Sequence, residues 1–196
     1  MEPLRVLRVY DETIADGDGL RLSVYFAGCS HNCPGCHNPE SHDPRAGVEL
    51  DAAFAGEIAR RVNANPLLDG VTLSGGDPLY NPEALLEFLK FLKLRTRANV
   101  WCYTGYVYER ILKDPARARC LKYIDTLVDG PFIAALRDPS LAFIGSKNQR
   151  IIPLRRGIAK SPPPRPSLAF IGSKNQRIIP LRRGIAKSPP PRPPRA

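Results

Sequence analysis

Three cysteines fall close together in the string Gly28-Cys29-Ser30-His31-Asn32-Cys33-Pro34-Gly35-Cys36-His37-Asn38. The C-x3-C-x2-C spacing folds three thiolates toward one point, and thiolates suit soft metals, either zinc or iron–sulfur. Their number is informative. A structural zinc site is closed by four protein ligands, whereas a site that does chemistry keeps one position open. His31, His37 and His42 lie nearby, so on spacing alone a Cys3His zinc site and an iron–sulfur site both stand. Cys102 and Cys120 sit in or beside apolar runs and read as small core residues. Five cysteines, an odd number with three crowded together, do not form a disulfide framework, and a reduced, cytoplasmic protein is the default.

Positioning such a loop requires strands before it and helices behind it. Residues 4–10 alternate as a strand, and 22–27 form a second β-rich run that leads into the cysteines. Residues 51–64 read as a helix with Asp51 as N-cap, and 71–74 as a short buried strand closed by Gly75-Gly76. Residues 82–97 are a strong helix: Asn81 suits the cap, Pro82 the first turn, and Leu85, Leu86, Leu89 and Leu92 share one apolar face. A strand is expected at 99–103, a helix at 105–113 and a strand at 123–128. Strands alternating with helices imply parallel βαβ units. In such sheets the loops after the strand C-termini carry the chemistry. That rule selects 28–38, 75–78, 103–105 and 129–131.

The charge divides by position. The chain has 196 residues and a formal net charge of +10, which invites a nucleic-acid reading. Residues 154–196 hold 11 Lys and Arg and no Asp or Glu. Residues 1–153 then hold 18 basic and 19 acidic residues, a net of −1. The chain reads as a near-neutral body, 1–153, and a basic, Pro-rich tail, 154–196, expected to be disordered. Residues 140–166 recur unchanged as 167–193, a tandem repeat of 27 residues. Two undiverged copies are too few for a repeat architecture. Both copies of SLAFIGSKNQRII fit the same place against the body, and the nearer one is favoured by a loop-closure difference of a few tenths to ~1 kcal/mol. No apolar run approaches the ~18 residues of a membrane span, and the N-terminus lacks the apolar stretch of a secretory signal.

The string DGDGLRLSVYFAGCSHNCPGCHNPE resembles the radical S-adenosylmethionine (SAM) enzymes, and within them the activating proteins of anaerobic ribonucleoside-triphosphate reductases. The resemblance continues through LSGGDPL at 73–79, WCYTGY at 101–106, VDGPF at 128–132 and GSKNQR at 145–150, and covers about residues 4–152. It implies one 4Fe–4S cluster per chain, with Cys29, Cys33 and Cys36 on three irons and the fourth iron left for the amino and carboxylate groups of SAM. It implies that the backbone around Gly35, Cys36 and His37 lies against the nucleoside, with His37 where relatives often have an aromatic ring. Ser74, Gly75, Gly76 and Asp77 match the block that receives the methionine amino group, with Asp for the usual Glu. Two glycines also serve a plain strand-to-helix turn. Tyr103 and Thr104 would face the nucleoside, while Trp101 reads as a buried strand residue. Asp129 and Gly130 would lie at the rim where a partner's peptide enters, supported by Asp18 and Arg21.

The implied reaction is reductive cleavage of SAM to a 5′-deoxyadenosyl radical, which takes a hydrogen from a backbone glycine of the large reductase subunit and leaves a glycyl radical there. The cofactors do the hard step; no Ser-His-Asp or Cys-His set is required and none stands out. The implied partners are that large catalytic subunit and a low-potential donor such as flavodoxin, with no membrane and no nucleic acid. A body of about 150 residues is short of the ~250 of a closed eight-unit barrel, so a partial, open (β/α) barrel of radical SAM type is expected. Two alternatives stand beside it: an activator of pyruvate formate-lyase type, and a zinc-binding module with a nucleic-acid-binding tail.

Overall fold

The computed structural model describes residues 2–159, and these form one α/β unit built on a single sheet. Its strands are β1 (Arg5–Thr13), β2 (Arg21–Phe26), β3 (Val48–Glu49), β4 (Gly70–Gly75), β5 (Asn99–Tyr103), β6 (Thr126–Asp129), β7 (Arg150–Arg155) and β8 (Ile158–Ala159), in the order β3-β1-β2-β4-β5-β6-β7-β8. The central four, β2, β4, β5 and β6, are parallel, and the outer pairs run antiparallel to their neighbours. The sheet is therefore mixed, with β3 and β8 at its two ends and no closure between them among the described residues.

The helices are α1 (Ala52–Ala64), α2 (Pro82–Arg95) and two short turns, α3 (Tyr108–Ile111) and α4 (Pro115–Cys120). Their starts follow the sequence. The Asp51 side chain accepts from the Phe54 amide, and Asn81 accepts from Ala84 with Pro82 in the first turn. Leu85, Leu86, Leu89 and Leu92 of α2 are all buried, and α2 packs against α1 and α4.

Strand register sorts the side chains onto two faces. Leu22, Val24 and Phe26 of β2, Val71 and Leu73 of β4, Val100 and Cys102 of β5, Leu127 of β6 and Ile152 of β7 form the core with the helices. The other face carries Arg21, Ser23, Tyr25, Thr72, Ser74, Trp101 and Tyr103, which is too polar for a dry core. The Asp16–Gly19 loop plugs the N-terminal ends of these strands. Thr72 donates to the Asp16 carbonyl at 2.7 Å, and the Arg21 guanidinium, wholly buried, donates to the carbonyls of Asp18, Val71 and Asn99. Arg21 and Asp18 thus close the end of the sheet opposite the cysteine loop, and do not support a rim there.

The helix expected at 105–113 shrinks to one turn, because Val107 is extended (φ −94°, ψ 133°) and the helix begins only at Tyr108, while Asp114 before Pro115 is extended as well. Asp114 then caps a new helix, α4, by accepting from Ala116 and Arg117. The sheet also runs past residue 153. β7 continues to Arg155 and turns at Arg156-Gly157, both at positive φ (53° and 83°), into β8. A two-residue loop with positive φ at both positions is the hairpin turn whose twist matches that of the strands. The first repeat copy thus supplies β7 and β8. Its residues after Ala159 and the second copy lie outside the described residues. A chain ended after Pro153 loses the Leu154 amide bond to Asp125 and the Ala159 amide bond to Tyr108. At about 1 kcal/mol per bond plus lost packing, it is expected to be about 1–3 kcal/mol less stable than a chain ended after Ala159, read by urea unfolding.

Candidate functional site

The four strand-end loops meet. A cavity of about 540 Å³ is lined by Cys29, His31, Cys33, Gly35, Cys36, His37 and His42 from the first loop and by Ser74, Gly75 and Gly76 from the second. Tyr103, Thr104 and Gly105 come from the third and Gly130 with Phe132 from the fourth. That volume is in the range of cavities that take small-molecule cofactors. Its remaining wall comes from the 132–149 connection, through Arg137, Asp138, Leu141, Ile144 and Gln149. None of these was singled out from the sequence, although GSKNQR at 145–150 was among the resembling blocks.

The cysteine loop owes its shape to local chemistry. The Cys36 amide donates to the Cys33 carbonyl at 3.0 Å, and Gly35 between them has φ 75°. With Pro34 at the second position this is the pattern of a type II turn, which needs Pro and then Gly. It brings Cys33 and Cys36 round to the same side. The loop is stitched to the Gly-Gly block by a continuation of the β2–β4 ladder: Gly76 donates to Phe26, and Asp77 to Gly28, each at 2.8 Å. The approach at Gly76 is so close that a Cβ there would stand 2.5 Å from the Gly28 carbonyl oxygen. Ser74 and Gly75 lie beside it on the cavity wall, and the Tyr103 hydroxyl donates to the Phe143 carbonyl at 2.9 Å.

Three side chains expected at the site are turned elsewhere, those of Asp77, Thr104 and Asp129. Asp77 is 1% exposed. Its carboxylate accepts from the Leu79 and Gly105 amides, the Thr104 hydroxyl and His31 Nε2, so its acceptor sites are taken by protein. The Thr104 hydroxyl is likewise turned to Asp77, at 2.9 and 3.0 Å from its two oxygens. Asp129 is wholly buried. Leu127 and Asp129 alternate with the polar-face residues Thr126 and Val128, so the Asp129 carboxylate points to the helix side and pairs with Arg150. Only the backbone of the next residue, Gly130, reaches the cavity.

The donor set suits an iron–sulfur cluster. All five cysteines are free thiols; Cys29, Cys33 and Cys36 are part-exposed to the cavity, while Cys102 and Cys120 are buried in the core. Burial pushes the Cys29 thiol up to about 11 and raises that of Cys33, the Phe132 amide opposing the latter shift. A metal bound by these thiols would have to displace their protons. Among the described residues no three His, Cys, Asp or Glu side chains are gathered tightly enough for a single metal ion. The same wall holds a polar atom without a partner, the buried Nε2 of His42.

Comparison with known proteins agrees with this geometry. Residues 15–152 match the family described as a 4Fe-4S single cluster domain. The chain is 37% identical over 152 residues to the anaerobic ribonucleoside-triphosphate reductase-activating protein of Haemophilus influenzae, covering 76% of this chain and 97% of that protein. It is 35% identical to the proteins of that name from Pasteurella multocida and Escherichia coli K12, covering 76% and 74% of this chain and 96% of each of those proteins.

Proposed function

Since this chain belongs to the anaerobic ribonucleoside-triphosphate reductase-activating proteins and carries a 4Fe-4S single cluster domain, we propose that it is a radical SAM enzyme that installs the glycyl radical on the large subunit of an anaerobic ribonucleotide reductase. The observation that carries this reading is the convergence of three free thiols with three other strand-end loops on one cavity. Cys29, Cys33 and Cys36 would hold three irons of the cluster. When bound, the cluster supplies a low-potential electron that cleaves SAM reductively to the 5′-deoxyadenosyl radical.

The chain's own part is binding, orientation and exclusion of water. Ser74, Gly75 and Gly76 present backbone at close range, which suits an ammonium group that needs carbonyl acceptors. Gly35, Cys36, His37, Tyr103 and Thr104 supply the wall for the nucleoside. Phe132 packs beside the cysteine turn, 3.6 Å from where a Gly35 Cβ would stand. Gly130 is the rim residue toward an entering glycine loop. Four parallel strands with an open sheet order fit a partial rather than a closed barrel, and a protein substrate needs such an open side. We place the protein in the cytoplasm, with flavodoxin or a similar low-potential protein as donor. Among the described residues no helix is long and apolar enough to cross a membrane. The catalytic body is taken to end at the β7–β8 hairpin, with the basic segment beyond it dispensable and not a nucleic-acid arm.

The test is anaerobic reconstitution with iron and sulfide, then incubation with the reductase subunit, SAM and a reductant. The expected product is a brown protein with about four irons per chain and a glycyl-radical signal in electron paramagnetic resonance. A colourless protein that takes one zinc, or an iron-loaded protein that gives no radical on its reductase, overturns the reading.

A further inference from the structure

We propose that His31 is a positioning residue for the cluster ligands, hanging the cysteine loop on the buried carboxylate of Asp77. The proposal rests on the reading of Cys29, Cys33 and Cys36 as those ligands. His31 lies between the first two of them, on a loop whose other intervening side chains, Ser30 and Asn32, are exposed. Its ring turns inward instead. Nε2 stands 2.7 Å from Asp77 Oδ2, and the imidazole meets the Tyr106 ring edge to face at 4.5 Å. The side chain is 17% exposed against 1% for Asp77. Every other contact to the Asp77 carboxylate is a donor, so Nε2 carries the hydrogen.

A second observation points the same way. A Cβ on Gly105 would stand 2.4 Å from the imidazole Cδ2. The glycine of Tyr103-Thr104-Gly105 thus clears the space the ring needs. Asp77 then joins three loops at once: His31 from the cysteine loop, its own Gly-Gly block, and Thr104 with Gly105 from the loop after β5. A hydrogen bond to a buried carboxylate is of the strong, charge-assisted kind. Groups that orient metal-bearing loops from behind typically change metal retention or activity by about 10–100-fold when removed. This assigns Asp77 to holding the site together, where the motif alone gave it to the methionine amino group.

The experiment compares His31→Ala, His31→Gln, Asp77→Asn and the His31→Ala/Asp77→Asn pair with the parent protein, each reconstituted anaerobically. Two quantities are measured: the rate of iron loss to a ferrous chelator, and SAM affinity of the iron-loaded fraction. His31→Ala and Asp77→Asn are each expected to speed iron loss by about 10–100-fold, the pair no more than the worse single variant. His31→Gln, whose amide nitrogen reaches where Nε2 stood, should return close to the parent rate. SAM affinity of the loaded fraction should stay near that of the parent. Parent-like iron retention in His31→Ala overturns the proposal. So does an Asp77→Asn protein that keeps its iron and loses SAM affinity, which places that carboxylate at the cofactor. Failure of the parent itself to take up iron defeats instead the cluster reading on which the proposal stands.

Discussion

Cys33→Ala is expected to abolish SAM cleavage and glycyl-radical formation while leaving the metal-free fold close to its original stability. The two halves of that expectation come from different features. Cys33 is part-exposed to the cavity and outside the hydrophobic core, so removing one sulfur opens no cavity there. The turn that presents it depends on Pro34, Gly35 and the Cys33 backbone carbonyl, all of which remain. Surface changes of this kind usually stay within about 0.5 kcal/mol. The cluster, by contrast, would lose one of its three proposed protein ligands at a site with no fourth thiol in the cavity wall among the described residues. Cys102→Ala is the matched control. Its side chain is wholly buried among Leu73, Val100 and Leu127 on the helix-facing side of the sheet. It should cost about 1 kcal/mol or more of stability through the void it leaves, with iron content and cleavage retained. Iron analysis, cleavage assays and urea unfolding on both variants separate the two roles. Cleavage retained in Cys33→Ala would sink the ligand assignment.

How much of this was legible in the residues differs by element. The strands and helices that carry a strong period or a cap came through: Asp51 before α1, Asn81-Pro82 before α2, and the apolar β5 appear where their chemistry puts them. The rule that strand-end loops carry the site chose all four loops that meet in the cavity. What did not come through is set by long-range pairing. β7 reads as RIIPLR, with a proline and two arginines, and its first arginine is buried only because Asp129 awaits it across the ladder. Its neighbour β8 exists because Arg156 and Gly157 both take positive φ, a turn that a Pro/Arg-rich composition conceals. The roles of Asp77 and Asp129 were hidden for a related reason. A motif gives the position of a carboxylate along the chain, but which face of the sheet it uses depends on register, and which donors fill it depends on loops up to 46 residues away. The polar inner face is the remaining lesson. Arg21, Ser23 and Thr72 alternate with core residues as any half-buried strand would, and only the plug at Asp16–Gly19 shows that this side is enclosed as well.

The Arg150–Asp129 pair should be the largest single stability determinant outside the apolar core. Arg150 and Asp129 side chains are 3% and 0% exposed. Nε and Nη2 of the guanidinium donate to the two Asp129 oxygens at 2.9 and 2.5 Å, and its other edge reaches both oxygens of Glu109 at 2.9 and 3.0 Å. Asp129 also accepts from the Tyr108 amide at 2.8 Å, so one carboxylate ties β6, α3 and β7 together. Removing one member of a buried pair strands the other charge and typically costs about 3–5 kcal/mol. Arg150→Met is therefore expected to lower the unfolding free energy by that amount, roughly 6–20 °C in melting temperature for a domain of this size. The Asp129→Leu/Arg150→Met double variant should recover much of it, because no stranded charge remains. Glu109 is half exposed, and Glu109→Gln should cost about 1 kcal/mol or less. The pH dependence has a definite sign. Hydrogen bonding to Asp129, with Glu109 adding to it, raises the Arg150 pKa above its ordinary value. A raised cation contributes stability that is fully present below its unfolded pKa and is lost only as pH climbs through the folded one. For a guanidinium that window lies far above neutrality, so the deficit of Arg150→Met should be level in its guanidinium part from pH 6 to 9. A deficit under about 1 kcal/mol would mean the pair is solvated in solution. The consequence reaches the site, because Gly130 follows Asp129 directly and begins the loop that closes the cavity over the cysteines. Losing the pair should therefore loosen that wall before it unfolds the sheet, seen as faster amide exchange at residues 130–149 than in β2 or β4.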